Sequence, residues 1–393
     1  MEKRFSDIFK HIMPLSKEKK EDLTQVSLYL EGSSFSDFKY WYKLGMISIG
    51  NAVIGSKKLG AQENYPVLAA NDEDPELNDS CDAWNDKIAE KVRENTYKDF
   101  SEIAERKIKK LIAPNIIGLE DVKEAALLQL FAKEKVHLLL LGDPGTGKTD
   151  VLRSVAELAP KSSYGLGSGT SGAGLTVTVR GNEVIEGLLP MAHKGLCCID
   201  ELNLMKERDR AGFLNAMEKG FVTYDKANKH IQVKADIKVL ATANPKGDRF
   251  AGWIIETLKK QLPFDPALLS RFHLVFLIKR PDVEGFVKIT KKIISGEKEK
   301  TSEAEAAFVK DYIAHVNKLK VVFNKQLEPM ITSFVEELKN DEEKFLIEIS
   351  PRLVVGIVRL AKASARLNMR SEVNQDDVVK VLSLLKRALY IHK

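Results

Sequence analysis

An aliphatic run that breaks into a glycine-rich turn leaves a chain few ways to fold, and residues 136–150 are such a run. Val136 to Leu141 is apolar except for His137, as suits a strand buried on both faces of a parallel sheet. It ends in Gly142-Asp143-Pro144-Gly145-Thr146-Gly147-Lys148-Thr149, which fills every fixed position of the phosphate-loop pattern G-x-x-x-x-G-K-[ST]. Glycines let backbone N–H groups turn inward on the β- and γ-phosphates with no Cβ in the way. Lys148 adds a point charge there, and the Thr149 hydroxyl can hold Mg2+. Asp150 to Leu158 reads as a helix whose N-terminal end faces the same anion. Glycine-rich turns also join strands to helices with no ligand in them. The complete pattern after an apolar strand favours a nucleotide site.

The 393 residues leave room for two or three domains, each with its own core. Charged residues make up 30% and apolar ones 44%, the balance of a folded globular protein and not a disordered one. A net charge of +5 permits a nucleic-acid partner without demanding one. Cys81, Cys197 and Cys198 form no C-x-x-C pair, so neither a zinc knuckle nor a disulfide framework is supported. The apolar runs fall far short of a membrane span, and Met1-Glu2-Lys3-Arg4 is not followed by a signal-peptide core. A reducing, intracellular setting without a membrane partner is expected.

Residues 1–95 read as an N-terminal helical region. Asp22 to Glu31 and Phe35 to Ile49 carry helix-like apolar spacing. The aromatics Phe38, Tyr40, Trp41 and Tyr42 fit core packing better than base stacking. Gly60 to Asp82 turns polar and acidic, as a loop or linker does, and Asp82 to Leu111 reads as one or two charged helices. Residues 96–282 are then expected to hold this lead-in and an α/β core, and residues 283–393 a helical lid. In the lid, Asn374-Gln375-Asp376-Asp377 caps a final helix through Leu389.

Beyond the phosphate loop, Tyr164 to Thr178 is so rich in Gly and Ser that composition alone makes it a surface loop. Gly195 to Glu201 is an apolar strand ending in two carboxylates. After a complete phosphate loop this is the Walker B arrangement, with Asp200 completing the Mg2+ shell and Glu201 polarising the attacking water. A helix over Glu207 to Lys219 precedes two strands within Phe221 to Val233, turning at Lys226-Ala227-Asn228-Lys229. Lysines on such a tip are either solvated or grip phosphate. Lys238 to Pro245 is a further buried strand, and Asn244 either holds the water or γ-phosphate or simply ends the strand before proline. Arg271 is either a surface charge or an arginine finger for a neighbouring subunit.

Several of these segments occur together in few families. Ile112 to Val122 (IAPNIIGLEDV), Gly142 to Lys148, Gly167 to Val179 (GSGTSGAGLTVTV), Cys197 to Met205 (CCIDELNLM), Ala216-Met217-Glu218 and Ser270-Arg271-Phe272 resemble the AAA+ domain of the minichromosome maintenance (MCM) replicative helicases. The resemblance runs from about residue 95 to the C-terminus. It implies an α/β AAA+ fold and a ring, here a homo-hexamer, that hydrolyses ATP with Mg2+ to translocate on single-stranded or forked DNA. Each nucleotide would lie between two subunits. Lys148, Thr149, Asp200, Glu201 and Asn244 would act in cis, Arg271 as the trans finger, and Arg352 of Ser350-Pro351-Arg352 as the second sensor. Val177 to Leu188 would form the helix-2 insert and Phe221 to Val233 the pre-sensor-1 hairpin. Lys226 would meet DNA, with Lys229 further along the tip. A full-length MCM or another replication protein is a candidate partner. The setting would be cytoplasmic, at the nucleoid, in a prokaryote and nuclear in a eukaryote.

The chain departs from that pattern in three places. Gly147-Lys148-Thr149 stands for Ala-Lys-Ser, the insert around Arg180-Gly181-Asn182-Glu183 is short, and residues 1–95 do not match the family's OB-fold and zinc-binding region. Two other functions share the core: a MoxR- or chelatase-like protein-remodelling ATPase, and a regulatory subunit that binds ATP and partners a full-length helicase.

Overall fold

The structure is a computed structural model and describes residues 47–49, 52–59, 63–70, 75–180, 183–226, 229–247, 249–252, 254–295 and 301–390. The chain divides into two compact units, residues 1–100 and 101–393. In the first, β1 (Ile47–Ile49), β2 (Ala52–Leu59) and β3 (Glu63–Ala70) form an antiparallel sheet with β2 in the middle. The expectation of a helical region followed by a linker from Gly60 is corrected here. Val53, Ile54, Tyr65 and Val67 are strand-prone, and β2 pairs with β3 along its whole length, from Ala52↔Ala70 to Leu59↔Glu63. Pro66 lacks a ladder N–H, and β3 is an edge strand, where proline is tolerated. The helix expected over Asp22 to Glu31, and residues 35–46 with their aromatics, lie outside the described residues. The charged stretch that follows is a single helix, α1 (Pro75–Leu111), within which the division between the units falls.

The second unit begins with α2 (Glu120–Phe131), β4 (His137–Gly142), α3 (Lys148–Leu158) and β5 (Ser162–Leu166). All six residues of β4 are buried. A short helix α4 (Gly172–Leu175) leads to an antiparallel hairpin of β6 (Val177–Arg180) and β7 (Glu183–Glu186), then to α5 (Leu188–Met191). This hairpin occupies the expected insert and exposes Val184 and Ile185. Next come β8 (Leu196–Asp200), α6 (Glu207–Lys219), the antiparallel pair β9 (Phe221–Lys226) and β10 (Lys229–Lys234), and β11 (Lys238–Ala243). Two short helices, α7 (Ile255–Lys260) and α8 (Pro266–Leu269), precede β12 (Leu274–Ile278).

β12, β4, β11, β8 and β5 lie side by side in that order, and every pairing is parallel. Parallel neighbours require crossovers, and these carry the flanking helices. α3 buries Val151, Leu152, Val155 and Leu158. Leu139, Leu141, Cys197, Ile199, Val239 and Ala241 from the strands join Phe213 and Met217 of α6 in one core. The helical region that follows comprises α9 (Val283–Ser295), α10 (Glu303–Val316), α11 (Glu328–Asn340), α12 (Pro351–Leu367) and α13 (Gln375–Leu389). α13 starts in a capping box between Asn374 and Asp377, which satisfies two otherwise orphaned N–H groups. Among the described residues no helix is long and apolar enough to cross a membrane.

Candidate functional site

The phosphate loop leaves the carboxyl end of β4, flanked by β12 and β11, where open parallel sheets collect ligands. Two of its glycines are required by the geometry. A Cβ on Gly142 would stand 2.3 Å from the carbonyl oxygen of Ile278, and Gly147 has φ 82° and opens α3. Lys148 is buried, and its ammonium donates to the carbonyls of Gly142 (2.8 Å) and Asp143 (2.6 Å). Burial pulls its pKa down to about 8 against the opposing pull of Asp143, Asp200 and Glu201. The Asp143 carboxylate accepts the N–H of Phe250 (2.8 Å) and of Arg280 (3.3 Å), buckling the loop to the chain beyond β11 and β12. Thr146 caps the turn by donating to the Asp143 carbonyl, and Pro144 and Gly145 complete it.

β8 brings the carboxylates to the same end of the sheet. Thr149 Oγ1 donates to Asp200 Oδ1 at 3.2 Å, so the two groups expected around a cation stand together. Both are hard oxygen donors of the kind Mg2+ selects. Thr242 of β11 also donates to Oδ1 and accepts the N–H of Glu201 at 2.9 Å. Tyr164 of β5 donates to Oδ2 at 2.9 Å. Glu201 has φ 53° and ψ 47°, a left-handed conformation that costs a non-glycine residue about 1–2 kcal/mol. Asn244 follows β11 directly, and its N–H donates to Asn203 Oδ1 at 3.0 Å. Thr242, Tyr164 and Asn203 were not legible as site residues in sequence. The one signal was a polar residue near the carboxyl end of an apolar parallel strand. Cys197 and Cys198 are buried in β8, and burial pushes the Cys197 thiol up to about 11, which leaves it inert.

Arg271 and Arg352 come together elsewhere. Arg352 Nη1 donates to the Ser270 carbonyl at 2.9 Å. Arg271 donates to the Ala267 carbonyl (2.6 Å) and to the Glu218 carboxylate (3.1 Å). Both line a cleft of about 490 Å3 with Lys135, Arg359, His137 and His273. His137 opens β4 and His273 immediately precedes β12, so this cationic cleft lies at the amino ends of the strands whose carboxyl ends carry the phosphate loop. Five steps of about 3.3 Å between the first and last of its six residues hold the two ends about 16 Å apart, beyond the reach of one arginine side chain. Lys226 and Lys229 form the last register pair of β9 and β10, on either side of the tip.

A family model described as the MCM P-loop domain matches residues 94–296, and one described as the MCM AAA-lid domain matches residues 307–389. The chain belongs to the MCM family. It is 32% identical over 308 residues to the DNA replication licensing factor MCM7 of Arabidopsis thaliana, covering 71% of this chain and 43% of that protein. With the DNA replication licensing factor MCM4 of Arabidopsis thaliana the identity is 30% over 331 residues, covering 75% and 39%. With the minichromosome maintenance protein MCM of Saccharolobus solfataricus it is 28% over 337 residues, covering 76% and 48%. The chain therefore spans less than half the length of these curated relatives. Both matching family models are MCM ones, and neither describes a protein-remodelling ATPase. This MCM chain carries an α/β P-loop core, the module of a nucleotide-binding ATPase.

Proposed function

We propose that this MCM chain binds ATP with Mg2+ at the interface of two copies in a homo-hexameric ring and uses hydrolysis to move along DNA. The observation that carries the reading is the separation of the phosphate loop from the arginine cleft by the length of β4. Neither end is a complete site, whereas one copy's carboxyl end facing the next copy's amino end assembles both halves. In cis, the loop N–H groups and Lys148 bind the phosphates, and Asn244 orients the water or the γ-phosphate. Mg2+, held by Thr149 and Asp200, would neutralise phosphate charge. Glu201 takes a proton from the attacking water. In trans, Arg271 and Arg352 stabilise the charge that builds on the transferred phosphoryl group, a contribution on the order of 10^3-fold or more for an arginine finger.

The β9–β10 hairpin follows α6 directly, and Lys226 and Lys229 are its end register pair. Two lysines at the end of a hairpin supply the cationic contacts that a phosphate backbone takes, which supports DNA as the hairpin's ligand, with Lys226 as the main contact. Within a cell the protein would sit with chromosomal DNA, in the nucleus or at the nucleoid.

Mixing Arg271→Ala protein with Lys148→Ala protein tests the shared site. Each alone should be inactive. Mixed rings should recover ATPase activity, because some interfaces then hold an intact loop facing an intact cleft. No recovery in rings shown to exchange subunits would mean that each chain is self-contained.

A further inference from the structure

Asp200 is held by three hydroxyls from three different elements, and only that of Thr149 belongs to the phosphate-loop and Walker B pattern. Thr149 of α3 and Thr242 of β11 both reach Oδ1, while Tyr164 of β5 alone reaches Oδ2. Two donors on one oxygen leave a carboxylate free to swing its other oxygen about the Cβ–Cγ bond. A donor on the second oxygen fixes the plane. We propose that Tyr164 is a positioning residue for the divalent cation of the nucleotide site, acting through Asp200 Oδ2 so that Oδ1 stays beside the Thr149 hydroxyl. The inference rests on the reading of this site as one for Mg2+ and ATP.

The placement follows from the sheet. β5 pairs with β8 in parallel, with Tyr164 opposite Cys198 and Leu166 opposite Asp200. The phenol thus reaches forward along the strand to the carboxylate. On its other side the ring lies under the Arg153 guanidinium, 5.9 Å from the ring centroid. Arg153 belongs to α3, the helix that opens with Lys148 and Thr149, so Tyr164 ties this helix to the carboxylate of β8. Hydrogen bonds to a charged group are worth about twice ordinary ones, so losing this one should be measurable.

The test is the binding of a fluorescent ATP analogue (mant-ATP) to the full chain at graded Mg2+ concentrations and in EDTA. Tyr164→Phe keeps the ring under Arg153 and removes the hydroxyl with its interactions to Asp200 and Arg153. It should raise the Mg2+ concentration for half-maximal binding by about tenfold or more, the size of one hydrogen bond to a charge, and leave binding in EDTA unchanged. Arg153→Ala, which keeps the hydroxyl, should shift the Mg2+ curve less. Tyr164→Phe with a wild-type Mg2+ curve would overturn the role of Tyr164 and leave the cation site standing. Equal weakening with and without Mg2+ would also overturn it, marking Tyr164 as a general structural support. A wild-type protein whose binding ignores Mg2+ would overturn the cation reading and the inference together.

Discussion

Lys148 is the side chain on which burial and function pull hardest in opposite directions. Burial brings its pKa to about 8, while the anion it is built to hold requires the charged form. Nucleotide affinity should therefore be flat below pH 8 and fall by up to about tenfold per unit above it. Fluorescence titrations between pH 7 and 9.5 would show this, and Lys148→Ala protein should show a weak affinity with no such slope. Glu201 sits in a backbone conformation that few non-glycine residues accept, held by the Thr242 hydroxyl on its N–H. Glu201→Gln should keep nucleotide binding, since Lys148 and Asp200 are untouched, and lower turnover by about 10^2-fold or more. Turnover at the wild-type rate would show that another group takes the proton.

At the scale of elements, β4 and β12 meet at their amino ends through two histidines. The His137 N–H donates to His273 Nδ1 at 3.0 Å, which requires a neutral His273 ring, and the rings lie 5.2 Å apart. Burial, then Arg359 and Arg352, bring the His273 pKa down to about 3, and His137 is depressed as well. The unfolded chain titrates near 6.5 and so binds more protons than the folded one between about pH 6.5 and 3. Stability must fall as the pH drops through that window. His273→Asn, whose amide oxygen can accept the same N–H, should flatten this acid limb in thermal melts across pH 4–7, and an unchanged limb would assign it to other groups. The β9–β10 hairpin is testable in a different currency. Lys226→Ala should leave basal ATPase nearly intact, reduce DNA stimulation and lower the slope of log affinity against log salt, since each lysine–phosphate contact releases about one counterion. Lys229→Ala should do less. If Lys226→Ala retains the wild-type slope, the hairpin does not touch the backbone.

These elements also mark what could be read from sequence. β4, β8 and β11 were legible because each is a long apolar run ending in a fixed chemical pattern, and the β9–β10 pair because of its central Asn228. The β2–β3 ladder was missed because Gly55 and Pro66 break any simple strand pattern and the pairing partner is what stabilises both strands. Tyr164 and Thr242 were missed for a related reason. They reach Asp200 across the sheet, from strands 36 and 42 residues distant in sequence, so register and not spacing brings them there. Tyr164 even lay in a segment whose glycines and serines suggested a loop. Asp143 lies in the phosphate-loop pattern, and its carboxylate fastens that loop to Phe250 and Arg280, which the pattern does not disclose.

For the whole molecule, the length of β4 decides what one chain can do alone. With the loop at one end of that strand and the arginines at the other, a solitary chain would carry two unmatched halves under the proposed shared site. ATPase rate per chain should then decline on dilution and recover on concentration, in step with the size distribution measured by light scattering, where a self-contained enzyme would give a constant rate. In the proposed ring damage would spread by the same geometry. A chain defective at one end would spoil one junction, and a chain defective at both ends would spoil two. In a six-membered ring that is a third of all sites lost to a sixth of the material, so a minority of faulty copies would poison a population of sound ones.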